Sequence, residues 1–402
     1  MIRKITVHER TTGKALPVGE LVSEIDELGR ARCQFRYLEE FLVRRDAFAI
    51  DPVSLPLRSG IFTAERKVVF DIFEDSLPDD WGRKLLIRRN NVPRGEQNLA
   101  SLLEALAASG LGALSFSSSA TKRKQQPGQS GAEASLLEID NLIEAIEHYE
   151  RGDATDPLLS LLLSAGSSPG GARPKVLVSG KKADEHYLAK FPSIKDTLDV
   201  VRIEGATMSL AAKAGLNTAD SRVIECAGKS ALLVRRFDLM PDGCRRHMIS
   251  FRSLLRAEAY YVSRYDELHA VVRKYSAEPA KDAEQLFRQM VFNALVGNTD
   301  DHLKNFWMLY SHRDGWRLSP AFDLVPNIAR RSEHVLIFDT DPRHPGRSAL
   351  VKLGRAWGVS GCQRIVDEVY AAVESWKTEF TAAGVSDEDI GQLSEIDGNV
   401  QR

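Results

Sequence analysis

An apolar helical stretch in the second half of this sequence ends in a loop crowded with polar side chains. Residues 284–296 carry apolar side chains at helical spacing, and Gly297 follows where a helix commonly ends. Beyond the loop 297–305, the aromatic and apolar run 306–310 predicts a buried strand. Loops positioned by rigid elements commonly carry chemistry, so the loop 297–305 is the first candidate site.

The spacing of an acid and an amide in this loop indicates phosphate chemistry. Asp300 and Asn305 have the Asp-x-x-x-x-Asn spacing of a protein-kinase catalytic loop, where the Asp takes a hydroxyl proton and the Asn holds Mg²⁺. Asp323 follows a strand predicted at 315–318 and is a candidate second ligand, since Mg²⁺ takes one or two protein oxygens. Singly, these residues are better explained as a helix-capping Asp, a turn Asn and a surface Asp. Together and in this order they favour a site.

Composition bounds the class of protein. The 402 residues suit two or three domains, and 43% hydrophobic with 27% charged residues is typical of a globular chain. A formal net charge of −2 excludes a global basic field for nucleic acid or membranes. Neither an N-terminal signal-like run nor a stretch of about 18 apolar residues is present. Four widely spaced cysteines argue against a zinc site or disulfide framework and suit a reducing cytosol, so we expect a cytoplasmic protein: Cys33, Cys226, Cys244 and Cys362.

A change of composition separates the N-terminal part of the chain from the remainder. Residues 117–134 contain no large apolar side chain and cannot bury a core, which predicts a flexible linker. Its basic triplet 122–124 is a candidate phosphate contact, although a solvated linker explains it more simply. Residues 1–116 alternate short predicted strands with helices, whereas the chain beyond about 250 is mostly helical in pattern.

A segment rich in glycine and small hydroxyl residues, 164–175, precedes a strand predicted at 176–178. Such backbone can approach a ligand closely and cradle phosphate oxygens. The P-loop pattern is absent and no helix follows, so a kinase-like glycine-rich loop fits better than a dinucleotide site. By itself this signal is weak, because a Gly-Gly turn between strands is common.

The next strand and helix contain two charges that kinases use. Lys190 stands at the end of the predicted strand 186–191, and a strand Lys beside a glycine-rich hairpin holds nucleotide phosphates in kinases. Glu204, in the predicted helix 200–215, is a candidate partner for Lys190 or an aid to metal binding. The alternatives are an exposed strand Lys and an ordinary exposed helix Glu. A second hairpin, 222–238, would end at an adenine-binding hinge.

This order of motifs resembles the HipA family, serine/threonine-protein kinases that act as toxins of bacterial type II toxin–antitoxin systems. The C-terminal motifs that carry the resemblance are Ser168-x-x-Gly171-Ala172-x-x-Lys175, Lys190-Phe191-Pro192, Glu204, Gly215-Leu216-Asn217, Arg236-Phe237-Asp238, Asn298-Thr299-Asp300-x-His302-x-Lys304-Asn305 and Phe322-Asp323. Those in the N-terminal part are Pro17-Val18-Gly19, Phe35-Arg36-Tyr37, Leu55-Pro56-Leu57, Asp79-Asp80-Trp81-Gly82 and Gly112-Ala113-Leu114. Each motif is short, but the combination is specific and covers nearly the whole chain.

The resemblance implies an α+β, protein-kinase-like two-lobe fold with an added N-terminal α/β subdomain, and it implies ATP and Mg²⁺ as cofactors. The expected divisions are the subdomain 1–116, the linker 117–134, the kinase N-lobe 135–238 and the helical C-lobe 239–402. Asp300 would be the catalytic base, Asn305 and Asp323 the metal ligands, and Asp301 and Glu204 supporting residues. The implied ATP-binding residues are Gly170, Gly171, Ala172, Arg173, Lys175, Lys190, Arg235, Arg236, Phe237, His302, Lys304 and Asn305.

The resemblance also implies regulation and partners. Ser168 falls on the family's inhibitory autophosphorylation serine, where added negative charge would repel the ATP phosphates. The implied partners are a HipB-like helix-turn-helix antitoxin, which brings DNA only indirectly, and a protein substrate such as an aminoacyl-tRNA synthetase; no membrane is implied. The sequence departs from the pattern at Arg235, where an acid is expected, at Pro169 in the glycine-rich loop, and at residues 247–251.

Two alternatives stay open at the level of sequence. One is a kinase-like binding module that serves as a DNA-bound corepressor with its antitoxin, against which the intact Asp300, Asn305 and Asp323 set speaks. The other is a small-molecule phosphotransferase of similar fold. The N-terminal subdomain and the candidate regulatory serine favour a protein target over a small one.

Overall fold

The structure is a computed structural model that describes residues 2–25, 31–64, 69–118, 134–164, 173–182, 184–258, 263–339, 341 and 343–402. The chain forms two compact units, each assembled from segments that are separated in the sequence. The first comprises Met1–Ala189, Arg236–Ile249 and Tyr310–Arg313. The second comprises Lys190–Arg235, Ser250–Leu309 and Asp314–Arg402. The domain divisions expected from the sequence stay a prediction.

The elements alternate short strands and helices along the first half of the chain: β1 (Ile2–Glu9), β2 (Leu16–Ile25), β3 (Ala31–Tyr37), α1 (Glu39–Leu42), β4 (Phe62–Thr63), α2 (Asp71–Asp75), α3 (Asp80–Arg89), α4 (Leu99–Leu106), β5 (Ser115–Ser117), β6 (Ala134–Ser135), α5 (Ile139–Arg151), α6 (Asp156–Ser164), β7 (Lys175–Ser179) and β8 (His186–Lys190). Short 3₁₀ turns lie at Arg94–Glu96 and Leu136–Glu138.

Longer helices dominate the second half, as the pattern beyond about 250 predicts: α7 (Val200–Lys213), β9 (Ser221–Cys226), β10 (Lys229–Arg235), β11 (His247–Ser250), α8 (Phe251–Leu254), β12 (Ser263–Arg264), α9 (Tyr265–Tyr275), α10 (Pro279–Val296), a 3₁₀ turn (Leu303–Asn305), β13 (Trp307–Ser311), β14 (Gly315–Leu318), β15 (Leu336–Ile337), α11 (Arg347–Ala356), α12 (Cys362–Val373), α13 (Trp376–Ala382), α14 (Asp387–Gln392) and α15 (Glu395–Val400). Mixed helices and sheets confirm the predicted α+β class. None of the described helices is long and apolar enough to cross a membrane.

The first unit contains an antiparallel sheet of five strands in the order β4-β3-β2-β1-β5. Its buried face carries aromatic rings, with Phe35 5.0 Å from Tyr37 and 5.7 Å from Phe73 between centroids. Gly19 in β2 is required by this packing, since a Cβ there would lie 2.3 Å from the Phe35 ring and 2.5 Å from the Arg36 carbonyl oxygen. A backbone carbonyl cannot move aside, so the Gly of the Pro17-Val18-Gly19 motif has a structural explanation.

A buried ion pair in the same unit explains another motif. The Arg236 guanidinium donates two hydrogen bonds to the Asp238 carboxylate, at 3.1 and 2.7 Å, and Asp238 Oδ2 also accepts from the Gly112 N–H at 2.8 Å. Both side chains of the pair are 3% exposed. A bidentate pair with a further N–H partner satisfies the buried charge, so Arg236 and Asp238 link the segment 236–249 to Gly112 within this unit.

The second unit is built around helix α10, which packs against α9, α12 and α15. The helix is buried over thirteen of its residues, and Pro279 stands at its first turn, where a missing N–H costs nothing. Gly297 ends it in the left-handed conformation, with φ 68° and ψ 40°, as the sequence predicts. The predicted strand after the loop is present as β13, which begins at Trp307. The loop 297–305 therefore lies between two rigid buried elements.

Candidate functional site

Three charged side chains that are far apart in the sequence meet within the second unit. Lys190 is the last residue of β8, Glu204 lies on α7, and Asp323 lies in the segment after β14. The Lys190 ammonium donates to Glu204 Oε1 at 2.5 Å and to Asp323 Oδ1 at 2.5 Å. The side chains of Lys190 and Glu204 are 10% and 6% exposed, whereas that of Asp323 is 34% exposed. Lys190 thus contacts both Glu204 and the candidate metal ligand Asp323 directly.

The charge balance of this cluster is negative. Burial by itself lowers the pKa of the Lys190 ammonium, but the Asp323 and Glu204 carboxylates outweigh burial and hold that pKa above its usual range. The lysine is therefore a cation at any physiological pH. These three side chains together, two carboxylates and one ammonium, carry a net negative charge, and such a charge attracts a cation. The exposed-Lys and exposed-Glu alternatives from the sequence do not describe these buried residues.

Asp323 is held in an unusual backbone conformation. Its φ is +58°, in the left-handed region that costs a non-glycine residue roughly 1–2 kcal/mol. The preceding Ala321 is fixed on both sides, because its N–H donates to the Asn217 carbonyl at 2.7 Å and its carbonyl accepts from the Ala219 N–H at 2.9 Å. These bonds position the turn that directs Asp323 to Lys190. Residues in sparsely populated conformations cluster at functional sites.

The loop 297–305 presents Asp300 to solvent and keeps Asn305 inside. The Asp300 side chain is 66% exposed and forms an ion pair with Arg331 at 2.5 Å. Asn305 is buried, and its Nδ2 donates a weak hydrogen bond to the Asp300 carbonyl at 3.5 Å. That bond turns the Asn305 amide oxygen, the atom able to bind a metal, away from the Asp300 carbonyl.

The neighbouring acid, Asp301, faces the opposite way and is buried beneath the loop. Its Oδ2 accepts from the Tyr265 hydroxyl in a short hydrogen bond and from Asn293 Nδ2 at 3.1 Å. Asn293 Nδ2 also donates to the Tyr265 hydroxyl oxygen at 3.1 Å. Burial raises the pKa of the Asp301 carboxyl well above its usual range, although the hydrogen bonds from Tyr265 and Asn293 oppose that shift. Asp301 therefore anchors the loop to α9 and α10.

Further buried polar bonds fasten the same loop. Asn298 Nδ2 donates to Asn293 Oδ1 at 3.3 Å, and the Asn298 carbonyl bonds to His334 Nδ1 at 3.1 Å. The Thr299 hydroxyl donates to Asn327 Oδ1 at 2.9 Å. Burial lowers the pKa of the His334 imidazole to about 4, so it is neutral at pH 7 and its Nδ1–H is the donor to Asn298. The residues 297–301 are thus held from several directions.

Other site residues expected from the resemblance have varied surroundings. The Arg236 guanidinium is committed to Asp238 in the first unit. Arg235 ends β10, and its N–H donates to the Asp220 carbonyl at 2.7 Å. His302 and Lys304 belong to the loop, where the Lys304 carbonyl accepts from Trp307 Nε1 at 2.7 Å.

The glycine-rich segment is only partly described. Lys175 is buried at the start of β7, and Arg173 precedes it by two positions and is partly buried. The second strand of the predicted hairpin 222–238 ends at Arg235. It does not extend to Asp238, because Arg236 and Asp238 pair locally. Phe237 follows that strand. Four predicted residues, Ser168, Gly170, Gly171 and Ala172, lie outside the described residues.

Sequence reasoning missed the residues that hold the loop. Nothing in the spacing of Tyr265, Asn327 and His334 marks them as partners of the loop, and Asn293 is marked only as one position of the helical run 284–296. Arg331 could have been noticed as part of the basic pair 330–331, seven and eight positions after Asp323. Its partner, however, is set by the fold.

The candidate metal ligands, Asn305 and Asp323, suit Mg²⁺ better than a metal such as zinc, which takes four protein ligands in structural sites. Among the residues that the structure describes, no group of three or more His, Cys, Asp or Glu side chains is arranged to hold a metal ion. The Asp323 carboxylate and the Asn305 amide oxygen would be the kind and number of protein ligands that Mg²⁺ takes when phosphate and water complete its coordination. The net negative charge of the Lys190, Glu204 and Asp323 side chains taken together agrees with such a cation.

Comparison with known proteins identifies both parts of the chain. The model of the HipA-like C-terminal domain matches residues 167–376, and that of the HipA N-terminal domain matches residues 14–117. Two proteins of Sinorhizobium fredii, named as the candidate kinases Y4mE and Y4dM, are 26% and 24% identical to this chain. Each alignment covers 77% of this chain and 76% of the relative.

A solved structure shares the fold. It is the Shewanella oneidensis toxin–antitoxin complex of HipA, HipB and operator DNA, matched with a TM-score of 0.69 at 18% identity. The match covers 98% of this chain and 95% of that chain. At this identity the likeness establishes the HipA-type kinase fold and no more.

Proposed function

This chain belongs to the HipA family, whose C-terminal model matches more than half of it, and on that premise we propose that it is an ATP- and Mg²⁺-dependent serine/threonine-protein kinase. The observation that carries the proposal is the Lys190 cluster. A buried ammonium held by Glu204 and Asp323 is the arrangement that kinases use to bind nucleotide phosphates and metal beside each other.

The chain's own residues divide the work of phosphate transfer. Lys190 would hold the nucleotide phosphates, and Asn305 and Asp323 would hold Mg²⁺, which when bound neutralises charge on the phosphate oxygens. Asp300 would orient the acceptor hydroxyl and take its proton, a role that needs an accessible carboxylate; its side chain is 66% exposed. Asp301 keeps the loop in place from below.

Family membership supports a proposal for the acceptor and for the partner. We propose a HipA-type toxin that phosphorylates an aminoacyl-tRNA synthetase or another translation protein and is neutralised by a HipB-like antitoxin. Autophosphorylation at Ser168 would inhibit it, since added negative charge on the glycine-rich loop repels the ATP phosphates.

The test begins with nucleotide binding and phosphate transfer. Wild-type protein is titrated with ATP with and without Mg²⁺ and then incubated with labelled Mg–ATP. Tight binding that requires Mg²⁺, with label on the protein, is expected. Lys190→Ala should weaken binding, whereas Arg343→Ala, which removes an exposed arginine paired with Asp341, should not. Absence of label from wild-type protein and from every protein of a lysate would reject the kinase proposal.

Target and regulation need separate measurements. Phosphoproteomics after induced expression should show one dominant new phosphoserine or phosphothreonine on a translation protein. Peptide mapping of Ser168→Ala and Ser167→Ala then assigns the autophosphorylated residue. A short helix-turn-helix protein encoded beside this gene should co-purify with the kinase and suppress its toxicity.

A further inference from the structure

The candidate base, Asp300, forms an ion pair with an arginine. Arg331 Nη1 lies 2.5 Å from Asp300 Oδ1, and the two side chains are 41% and 66% exposed. An exposed ion pair of this kind contributes about 0–1 kcal/mol to stability. Such a small gain in stability does not explain why Arg331 pairs with Asp300, the carboxylate of the loop that faces solvent.

The main chain of Arg331 is fixed although its head group is exposed. Its N–H donates to Asn327 Oδ1 at 2.8 Å, and its carbonyl accepts from Asn327 Nδ2 at 2.7 Å. The preceding Arg330 has a positive φ of 51°, so the chain makes a tight turn there. The buried side-chain amide of Asn327 therefore binds both backbone groups of Arg331 and closes the turn 327–331.

Asn327 in turn is tied to the loop that carries Asp300. Its Oδ1 accepts from the Thr299 hydroxyl at 2.9 Å, and its Nδ2 donates to Glu395 Oε2 at 2.8 Å. With these bonds both amide protons and the carbonyl oxygen of Asn327 are engaged. The position of the Arg331 backbone is thus set relative to residue 299, next to the candidate base.

A fixed backbone with an exposed guanidinium is a suitable receptor for a carboxylate. The planar guanidinium binds carboxylates through two parallel hydrogen bonds, and it keeps its charge at every physiological pH. While Arg331 is bound to Asp300, it occupies Oδ1, one of the two carboxylate oxygens that could accept from an acceptor hydroxyl at about 2.6–3.2 Å. A carboxylate arriving with the acceptor could take the guanidinium and uncover that oxygen.

We propose that Arg331 is a specificity-determining residue that recognises an acidic side chain flanking the acceptor hydroxyl, and that this exchange of partners uncovers Asp300. The inference rests on the proposed kinase function and names the class of its substrate, an acidic peptide segment. An acceptor without the acidic neighbour would leave the Arg331–Asp300 pair closed.

Two serine peptides test the proposal, one with aspartates on both sides of the serine and one with asparagines there. Binding is measured by fluorescence anisotropy, and phosphate transfer is measured separately with labelled Mg–ATP. Wild-type protein should bind the acidic peptide about tenfold more tightly, the effect of one charge-assisted contact. Arg331→Ala should lose this preference, and Arg331→Lys should keep part of it. Arg343→Ala, which removes another exposed arginine, should behave as wild type.

The kinetic constants separate recognition from a general structural effect. In Arg331→Ala the KM for the acidic peptide should rise to that for the neutral peptide, while kcat on the neutral peptide stays the same or increases because Asp300 is uncovered. Equal loss on both peptides with a lowered unfolding midpoint would overturn the proposal, as would an unchanged preference or a wild type with no preference. Arg331-dependent binding without any transfer of label would leave the recognition in place and reject the kinase function instead.

Discussion

Two adjacent carboxylates on one loop have opposite surroundings. Asp300 is largely exposed and pairs with the exposed Arg331, whereas Asp301 is 1% exposed and bonds to Tyr265 and Asn293. The outer face of the loop therefore has charge that solvent and substrate can reach. The inner face has polar groups that satisfy one another out of water. On the proposed kinase function, residues 297–305 would divide reactivity and stability between their two faces.

The largest expected effect is loss of phosphate transfer on the outer face. Asp300→Asn should reduce transfer by roughly 10²–10⁴-fold, the usual contribution of a general base, while the free energy of unfolding changes by less than about 0.5 kcal/mol. Labelled-ATP assays and urea unfolding of the same preparation give both values.

Asp323→Asn should likewise remove transfer, and Asp341→Asn is the matched exposed control. If Asp300→Asn retains full transfer, the outer face is not the reactive one. A marked drop in its stability would also contradict the division of the loop.

The inner face should show the converse behaviour. Asp301→Ala is expected to lower the free energy of unfolding by about 2–4 kcal/mol, because it leaves the buried Tyr265 hydroxyl without its acceptor and removes one of the two acceptors of Asn293 Nδ2. Asp301→Asn should cost less, since the pKa of Asp301 is raised by burial and a neutral side chain of the same shape replaces it.

Urea unfolding at pH 7 measures both variants. Any transfer lost in Asp301→Asn should be recovered in proportion as the folded fraction is restored at low temperature. A fully folded Asp301→Asn without activity would assign Asp301 to the chemistry.

The pH dependence of stability sharpens the comparison at His334. Its pKa is about 4 in the folded protein, below the ordinary value of 6.5. Between pH 6.5 and 4, His334 is therefore protonated in the unfolded chain but neutral in the folded chain. The free energy of unfolding falls as pH falls through this range. This imidazole alone should lower the free energy of unfolding by about 2 kcal/mol between pH 7 and pH 5.

His334→Asn keeps a donor for the Asn298 carbonyl and should remove that share of the pH slope in urea unfolding. Burial also lowers the pKa of His247, which is present in both wild type and His334→Asn. The difference between their pH slopes of stability therefore gives the contribution of His334. Identical slopes would show that His334 does not stay neutral under the loop.

The smallest expected effect belongs to a single hydroxyl. Tyr265→Phe removes the donor to Asp301 but leaves Asn293 Nδ2 bonded to the same oxygen. We expect a loss of about 1–2 kcal/mol in urea unfolding and little change in KM for ATP. A change in KM for ATP without a change in the free energy of unfolding would mean that Tyr265 affects nucleotide binding directly.

Local pattern accounts for much of the fold. Helix α10, its end at Gly297 and the strand after the loop follow from apolar spacing and from the permissive backbone of glycine. The helix begins at Pro279, five residues before the predicted start, because its first turn is polar and gives no apolar period. Strand β10 ends at Arg235 because a long-range bond from Gly112 and a local pair with Arg236 fix Asp238 elsewhere.

The residue types of the candidate site can be read from the sequence: an acid and an amide five positions apart, a later acid, and a strand lysine with a helix glutamate. Which of these residues meet depends on the fold, since Lys190 and Asp323 are 133 positions apart and contact each other directly. The fold also decides that Asp300 faces solvent and Asp301 the core. Adjacent residues of a loop have no fixed period, so their burial depends on the helices packed beneath them and not on their own spacing.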